Sequence, residues 1–329
     1  MESMWLIAII AMLCWSGSDL FSKMGTKLSD KYSHLKVGIA VGLIMGIHAL
    51  YEVFVRGVAF SFSDLITYLP ASFFYILSMV IGYICLRYIE LSISSPICNG
   101  SGALALVLSL CFFGVSWNNP EGEGVFLNTP ILTGVILIAV GVIALGFVEH
   151  FEDENARALR QMKSNRKYAK SWFAILLPVC YCILDAVGTF VDDLIAENYL
   201  TDLIAKNPSA DETALELACG DTLNVAYEFT WFFMAIVFLI YVYGIKKEKL
   251  DLKFDGIKGL GGICETAGQV FYMMVVVSDY TIGFVIISAY CAVSFLWSAI
   301  FLKEKLSLKH YLALAAVFIG IFILGIYDV

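Results

Sequence analysis

The sequence predicts an all-α polytopic membrane protein in which ten transmembrane helices form two inverted five-helix repeats. Three observations predict this fold class: the composition, the spacing of long apolar runs, and an ordered internal repeat. Of 329 residues, 60% are hydrophobic and 15% are charged. A soluble domain has about 45–50% apolar and about 25% charged residues. The composition therefore excludes a water-soluble enzyme, a nucleic-acid-binding protein and a disordered chain.

Ten apolar runs are long enough to cross a bilayer, since a spanning helix needs roughly 20 mostly apolar residues. The runs are continuous and do not alternate in short segments, which favours helices over the strands of a barrel. We predict spanning helices, in chain order, at Met4–Met24, Val37–Val55, Leu65–Tyr88, Ser92–Phe113, Pro130–Phe147, Ser171–Leu194, Asn224–Gly244, Gly259–Val277, Thr281–Leu302 and Tyr311–Tyr327.

The basic residues indicate the orientation of the chain in the membrane. With the N-terminus outside, 19 of the 21 Lys and Arg residues fall in cytoplasmic connections, and only Arg56 and Lys206 fall outside. The positive-inside rule therefore predicts a multi-pass protein of the plasma (inner) membrane with both termini outside. Lys23 and Arg87 lie near helix ends, where we expect their side chains to snorkel to the cytoplasmic face.

Three sequence pieces recur in the same order in both halves. The pattern Cys-aromatic-x-x-x-Asp occurs at Cys14–Asp19 and again, 166 residues later, at Cys180–Asp185. A glycine-bounded piece at Gly141–Gly146 recurs at Gly320–Gly325. Between these pieces, at an offset of 189, Tyr83, Glu90, Ser92 and Asn99 correspond to Tyr272, Asp279, Thr281 and Ser288.

The repeat divides the chain into three parts. The first five-helix repeat covers residues 1–147, a basic cytoplasmic linker covers 148–170, and the second repeat covers 171–329 and includes an acidic loop at 195–223. This loop is too polar to span the membrane, and we expect a short surface helix or a partly disordered segment. Because five helices per half is an odd number, the second half must be inverted in the membrane. Inverted repeats are typical of transporters, in which two similar bundles rock about a site near the midplane.

Two motifs carry a resemblance to a known family. The link between the last two predicted helices reads Phe-Leu-Lys-Glu-Lys-Leu-Ser-Leu at Phe301–Leu308, and the first helix contains Leu-Cys-Trp-Ser at Leu13–Ser16. With these motifs the chain resembles the drug/metabolite transporter superfamily, in its ten-helix form with paired EamA-type domains, over nearly its whole length. The first half departs from the family pattern, because Phe113–Ser116 contains no Glu.

The resemblance implies a carrier of small metabolites with a central cavity lined chiefly by helices 1, 3, 4, 6, 8 and 9. It also implies termini in the cytoplasm, whereas the charges of this chain predict termini outside. An ancestry in small dual-topology proteins permits such a reversal, and we follow the charges of this chain.

Polar residues inside the predicted helices are candidate site residues, because an ionised residue in the bilayer costs about 3 kcal/mol or more. Trp15, Ser18 and Asp19 share one face of the first helix, and Tyr181 and Asp185 share one face of the sixth. The two aspartates occupy matched repeat positions, where they could bind a cation, accept a coupling proton or hold a substrate ammonium. The alternative is a structural acid, bonded to a neighbouring helix or hydrated near a helix end.

Further candidates lie in the third, fourth, eighth and ninth helices. Glu265, Gln269 and Tyr272 share one face of the eighth helix, and Glu265 has no acidic counterpart in the third. Asn99 follows a proline and adjoins glycines, which favours a broken helix that offers backbone groups to a substrate. The alternatives are an acid favoured at a helix N-terminus and residues that only pack helices together. The predicted substrate-binding set is Trp15, Ser18, Asp19, Tyr83, Asn99, Tyr181, Asp185, Glu265, Gln269, Tyr272 and Ser288.

The sequence predicts a secondary transporter of a small polar metabolite, such as an amino acid or a sugar, that works by alternating access and is coupled to H⁺ or Na⁺. The alternatives are a divalent cation (Mg²⁺) transporter or channel, in which the acids form an oxygen site, and a polytopic membrane enzyme. The four histidines and nine cysteines have no metal-ligand spacing. We expect no catalytic residues, no cofactor and no nucleic-acid partner, and a monomer or homodimer in the bilayer.

Overall fold

The computed structural model describes residues 4–27, 29–119, 122, 124–161, 172–277 and 281–327. The helices are α1 (Met4–Gly25), α2 (Ser33–Tyr51), α3 (Phe62–Cys85), α4 (Leu91–Cys98), α5 (Ser101–Phe113), α6 (Thr129–Phe151), α7 (Glu154–Gln161), α8 (Trp172–Lys206), α9 (Glu212–Leu239), α10 (Leu252–Val277), α11 (Thr281–Ser288), α12 (Tyr290–Trp297) and α13 (Leu308–Tyr327). Short π-helical turns extend α2, α9 and α12 at Glu52–Arg56, Ile240–Ile245 and Ser298–Leu302. A parallel strand pair, β1 (Val115–Trp117) and β2 (Val125–Leu127), joins α5 to α6.

Residues 162–170 of the predicted linker and Asp279 of the predicted repeat lie outside the described residues.

The protein is an all-α polytopic membrane protein, as the sequence predicts. Among the described helices, eight are long and apolar enough to cross a membrane by length and composition. Large apolar side chains such as Ile47, Phe54, Ile136 and Phe322 are exposed on the outer surface. A lipid environment suits such a surface, because hydrocarbon solvates apolar side chains and leaves helices to satisfy their own backbone polar groups.

The helices pack in pairs that join the two halves of the chain. α1 packs along α10, and α8 packs along α3, so each half contributes one helix to each pair. α2 packs against α9, and α6 packs against α13. The two halves are therefore interlocked in one bundle.

Glycines allow two of these helix pairs to approach closely. In α2, Gly38, Gly42 and Gly46 recur every fourth residue and face α9. A Cβ atom added at Gly42 would lie only 2.7 Å from the Cβ of Ala235 and would overlap the backbone of Trp231. Small residues at this spacing are the usual means by which membrane helices reach backbone contact. The α2–α9 interface thus depends on the absence of side chains on this face of α2.

Glycines also bring α6 and α13 into close contact. A Cβ atom added at Gly320 would lie 2.7 Å from the carbonyl oxygen of Gly134, and one added at Gly134 would lie 3.0 Å from the carbonyl oxygen of Gly320. The two backbones therefore touch where these glycines face each other. Van der Waals packing at such a close approach is the main attraction between helices in lipid.

The predicted acidic loop 195–223 is mostly helical, and this finding corrects its extent. α8 continues to Lys206 and α9 begins at Glu212, so the connection is confined to residues 207–211. Both helices therefore extend beyond the predicted spans at this end of the bundle.

An apolar stripe explains why the acidic segment is helical. Leu200 and Leu203 of α8 pack with Leu223 of α9 in one apolar cluster, while the acidic residues lie on the exposed side. The side chain of Asp211 caps α9 by accepting a hydrogen bond from the backbone N–H of Ala214 at 3.2 Å. The average polarity of the segment hides this helical periodicity, so the sequence prediction of a loop was too broad.

Substitution at Gly42 tests the close approach of α2 and α9. Gly42→Ala should lower the thermal unfolding midpoint of the detergent-purified protein, because overpacking costs about 1–3 kcal/mol. The matched control is Gly102→Ala in α5, where an added Cβ meets no atom within 4 Å. Equal midpoints for the two variants would contradict the predicted interface.

Candidate functional site

A cavity of about 630 Å³ lies within the bundle, between α1, α3, α4, α8, α9 and α10. The structure brings ten of the eleven predicted site residues to its wall: Trp15, Ser18, Asp19, Tyr83, Asn99, Tyr181, Asp185, Glu265, Gln269 and Tyr272. Ser288 does not line the cavity, but its carbonyl oxygen accepts a hydrogen bond from the side chain of Asn99 at 2.9 Å. Residues that are far apart in the sequence therefore converge on one space.

Asp19 of α1 connects three helices at the cavity wall. Its Oδ2 atom accepts hydrogen bonds from the hydroxyl groups of Ser95 at 2.6 Å and Ser294 at 2.7 Å. Ser95 belongs to α4 and Ser294 to α12, and both serines are buried. The carboxyl group of Asp19 thus links α1 to α4 in the first half of the chain and to α12 in the second half.

Asp185 of α8 has a corresponding arrangement. Its two carboxyl oxygens accept hydrogen bonds from the hydroxyl groups of Ser78 at 3.1 Å and Ser101 at 2.8 Å. Ser78 belongs to α3 and Ser101 to α5, so a helix of the second half is bonded to two helices of the first. The two aspartates at matched repeat positions therefore have the same type of partner.

Two helix breaks face each other beside the cavity. Between α4 and α5 the chain turns at Asn99, and between α11 and α12 it turns at Ala289, one residue after the position matched to Asn99. The side chain of Asn99 crosses between the breaks and donates to the carbonyl oxygen of Ser288 at 2.9 Å and to the Cys291 sulfur at 3.2 Å. Glycine neighbours signal the first break in the sequence, whereas the second has no proline or glycine to signal it.

The second-half candidates contribute aromatic and amide groups to the wall. The rings of Trp15 and Tyr272 are 5.2 Å apart, and those of Trp15 and Tyr290 are 5.8 Å apart. Gln269 donates to the side-chain oxygen of Asn224 at 3.1 Å. Glu265 lies on the same face of α10 and lines the cavity. The wall therefore combines carboxylates, amides and aromatic rings.

Sequence reasoning missed several residues of the wall. Tyr68 of α3 and Asn224 and Tyr227 of α9 line the cavity, and the rings of Tyr75 and Tyr227 are 5.9 Å apart. Tyr75 also donates a hydrogen bond to Asp192 at 3.3 Å. Polar residues at helical spacing within an apolar run could have indicated these positions. Of the serines that bind the aspartates, Ser294 shares one face of the ninth predicted helix with Ser288, Cys291 and Ser298. Ser78, Ser95 and Ser101 gave no such signal, because serine is common throughout the chain.

We use the name basic face for the end of the bundle where α1 ends and α2, α4, α10 and α13 begin. Lys27 forms an ion pair of 2.7 Å with Asp251 there, and its hydrogen bond lowers the pKa of Asp251. Lys258 lies 3.7 Å from Asp30, and Arg87 donates to the carbonyl oxygen of Lys31 at 3.0 Å. Basic residues from separate connections thus meet at one face, as the charge pattern predicts.

Lys23 closes the cavity at the basic face. Its side chain is fully buried and donates hydrogen bonds to the carbonyl oxygens of Leu86, at 2.7 Å, and Ile89. The expected snorkelling of Lys23 is therefore wrong, because the link between α3 and α4 folds over the end of α1 and supplies acceptors. This contact joins α1 to the link at the closed end of the cavity.

Glu304 makes a second closing contact at the basic face. Its carboxylate accepts hydrogen bonds from the backbone N–H of Leu91 at 3.2 Å and from the N–H and hydroxyl of Ser92 at 3.0 and 2.9 Å. A carboxylate is favoured here because the N-terminus of α4 has unpaired N–H groups and a positive dipole end. The glutamate of the Phe301–Leu308 motif thus connects the link before α13 to α4.

The opposite end, where α8 ends and α9 begins, is the acidic face, and the cavity reaches solvent there. Glu197 and Glu216 line the cavity and are exposed, whereas Leu86 and Leu91, which line it near the basic face, are buried. The cavity is therefore open to the acidic face and closed to the basic face.

Two networks of titratable groups lie outside the cavity. Near the acidic face, His48 contacts Glu228 at 2.8 Å and Glu52 at 3.2 Å. Near the basic face, His310 contacts Glu149 at 2.9 Å, and Glu149 also pairs with Arg157. Both networks bridge helices and compensate charges that would otherwise be costly inside the bundle.

No protein-family model matches the sequence, and no curated protein sequence matches it. The fold and the cavity define a polytopic all-α membrane protein with an internal cavity that contains several carboxyl groups and is open to one face.

Substitution of Glu304 tests the closure at the basic face. Glu304→Gln should lower the thermal unfolding midpoint, because loss of charge-assisted hydrogen bonds to buried N–H groups costs about 1–3 kcal/mol. Lys309→Gln, which also removes one charge near the start of α13 but from an exposed side chain, serves as the control. A midpoint for Glu304→Gln no lower than that of the control would exclude this role.

Proposed function

We propose that the protein is a secondary transporter of a small polar metabolite that works by alternating access. The observation that carries this proposal is the cavity, which is open at one face and closed at the other and contains two matched aspartates. Carboxyl groups inside a membrane bundle are costly to maintain and usually mark a path for a substrate or an ion. The resemblance to EamA-type transporters belongs to the same proposal.

The proposed architecture is ten spanning helices in two inverted five-helix repeats. The exchange of partners supports it: α1 with α10 in one pair corresponds to α8 with α3 in the other. The pairs α2–α9 and α6–α13 each unite helices at equivalent positions of the two repeats, as a twofold relation requires. The facing helix breaks near Asn99 and Ala289 are further support, since broken helices accompany transporter sites.

In the proposed mechanism, a substrate enters from the acidic face. Passage requires the contacts of Lys23 and Glu304 at the basic face to separate, while the extended ends of α8 and α9 close the opposite end. The positive-inside rule supports a basic face in the cytoplasm, and thus termini outside the plasma membrane. The structure then corresponds to an outward-open state.

Asp19 and Asp185 supply the proposed coupling. Each carboxylate accepts two hydroxyl hydrogen bonds from other helices. A protonated carboxyl group binds these hydroxyls more weakly than a carboxylate does, because hydrogen bonds to an ionised acceptor are roughly twice as strong as neutral ones. Because Ser294 lies in the other half of the chain from Asp19, protonation changes a contact between the proposed repeats. This arrangement supports H⁺ as the coupling ion, and a bound Na⁺ could act on the same oxygens.

A Mg²⁺ transporter has less support. A divalent cation needs several oxygen ligands converging at about 2–2.6 Å from the metal. Within the part of the chain that the structure describes, the one group of three or more acidic, histidine or cysteine residues that converges within 4.8 Å is Glu149, Glu152 and His310. None of these three residues lines the cavity.

Charge-neutral variants test the proposed role of the aspartates. Asp19→Asn and Asp185→Asn should each abolish solute-induced currents in reconstituted vesicles, because an amide retains a hydrogen-bond acceptor but cannot take up a proton. The measurement is made on solid-supported membranes with a panel of amino acids, sugars and amines. Size-exclusion profiles and thermal midpoints should stay near those of the unchanged protein.

The control for this test is Asp202→Asn, which removes the same charge from an exposed position of α8. Full currents with both Asp19 and Asp185 replaced would refute their role in coupling. Failure of the unchanged protein to move any member of the panel would count against the transporter proposal.

A further inference from the structure

The charge of the cavity wall is uncompensated by protein cations. Six carboxylic side chains line the cavity: Asp19, Asp185, Asp192 and Glu265 inside the bundle, and Glu197 and Glu216 at the acidic face. No Lys, Arg or His side chain is found among the described residues of the wall. The partners of Asp19 and Asp185 are serine hydroxyls, and Tyr75 binds Asp192. Enclosed carboxylates are stable as anions only when opposite charges pair with them. Such carboxyl groups either take up a proton or pair with a cation that enters the cavity.

Three polar groups of the wall, on Trp15, Ser22 and Tyr83, have no hydrogen-bond partner among the described residues. Tyr83 is 7% exposed and its hydroxyl is buried without a hydrogen bond, and the indole N–H of Trp15 is buried in the same way. Both side chains line the cavity. Nearly all buried polar groups in proteins have a hydrogen-bond partner. The hydroxyl groups of Ser22 and Tyr83 can accept a hydrogen bond from an ammonium group, whereas the indole N–H of Trp15 can only donate.

Aromatic rings surround the carboxylates. Trp15 stands between Tyr272 and Tyr290, at ring distances of 5.2 and 5.8 Å, and Tyr75 packs edge-on to Tyr227. The faces of such rings attract ammonium groups and also accept methylene chains. Rings combined with carboxylates favour an organic cation over a sugar or an inorganic ion.

The carboxylates are spread along the cavity. Asp185 and Asp192 are seven residues apart on α8, which corresponds to about 10 Å along the helix. The opening of the cavity at the acidic face also carries acidic side chains, those of Glu197 and Glu216. A ligand with positive charges at several points along its length matches this distribution, and the acidic opening would raise its local concentration.

We propose that the cavity binds a linear organic cation that carries two or more ammonium groups. One ammonium group binds at the level of Asp19 and Asp185, a second binds at Asp192, and the methylene chain between them lies against the tyrosine rings. This inference rests on the proposed transporter function and specifies the substrate class of the same site.

The test compares linear α,ω-diamines of increasing length with monoamines of the same length. Equilibrium binding to the detergent-purified full chain is measured with radiolabelled amines at several salt concentrations. We expect the best diamine to bind at least about tenfold more tightly than its monoamine, since enclosed charge pairs contribute strongly to affinity. We also expect affinity to pass through a maximum with chain length.

Two single substitutions on α8 test whether Asp192 binds the second ammonium group. Asp192→Asn should reduce the affinity for the best diamine to near that for the monoamine, a larger loss than the same substitution causes for the monoamine. Asp202→Asn, an exposed position on the same helix, should alter neither affinity. An equal loss of diamine binding in both variants would show attraction by surface charge alone and overturn the proposal.

Other outcomes separate this proposal from the transporter function. Equal affinities for diamines and monoamines, or no binding of either, would overturn the proposed ligand class. If a neutral solute then still generated currents in vesicles, the transporter function would stand without it. Tight diamine binding with no current from any solute would support the ligand class and contradict transport.

Discussion

The exclusion of water from the bilayer core is the constraint on which the rest of this structure depends. Polar groups inside the membrane must find partners within the protein. Asp19 and Asp185 find them in serine hydroxyls on four other helices, from both halves of the chain. These hydrogen bonds fix how the helices surround the cavity, and any change in the charge of either carboxylate acts on contacts between helices.

Polar and apolar contacts together close the cavity at the basic face. Lys23 binds the link after α3, and Glu304 binds the start of α4. Leu86, Leu91 and Leu302, which make or adjoin these contacts, pack in one buried apolar cluster. Elsewhere in the bundle, Gly42 allows α2 to touch α9, and Gly134 and Gly320 bring α6 against α13.

The residues that sequence reasoning located are those that stand out against their surroundings. An aspartate in an apolar run, such as Asp19 or Asp185, costs free energy in the membrane and is therefore visible as a candidate. Ser95 and Ser101 are equally important to the arrangement, but hydroxyl residues cost little in a helix and occur throughout the chain. The helix break at Ala289 was also invisible, because tertiary contacts produce it without a proline or glycine.

The sequence by itself determined the all-α membrane class, the clustering of basic residues at one face and the identity of most acids at the cavity. These properties follow from hydrophobicity and charge, which act residue by residue. Only the tertiary structure decided that Lys23 is buried, that Glu304 caps α4, that residues 195–223 are mostly helical, and that the cavity opens to the acidic face. Each of these four features depends on contacts with a backbone segment or an apolar surface that is distant in the sequence. A local sequence pattern contains no information on such contacts.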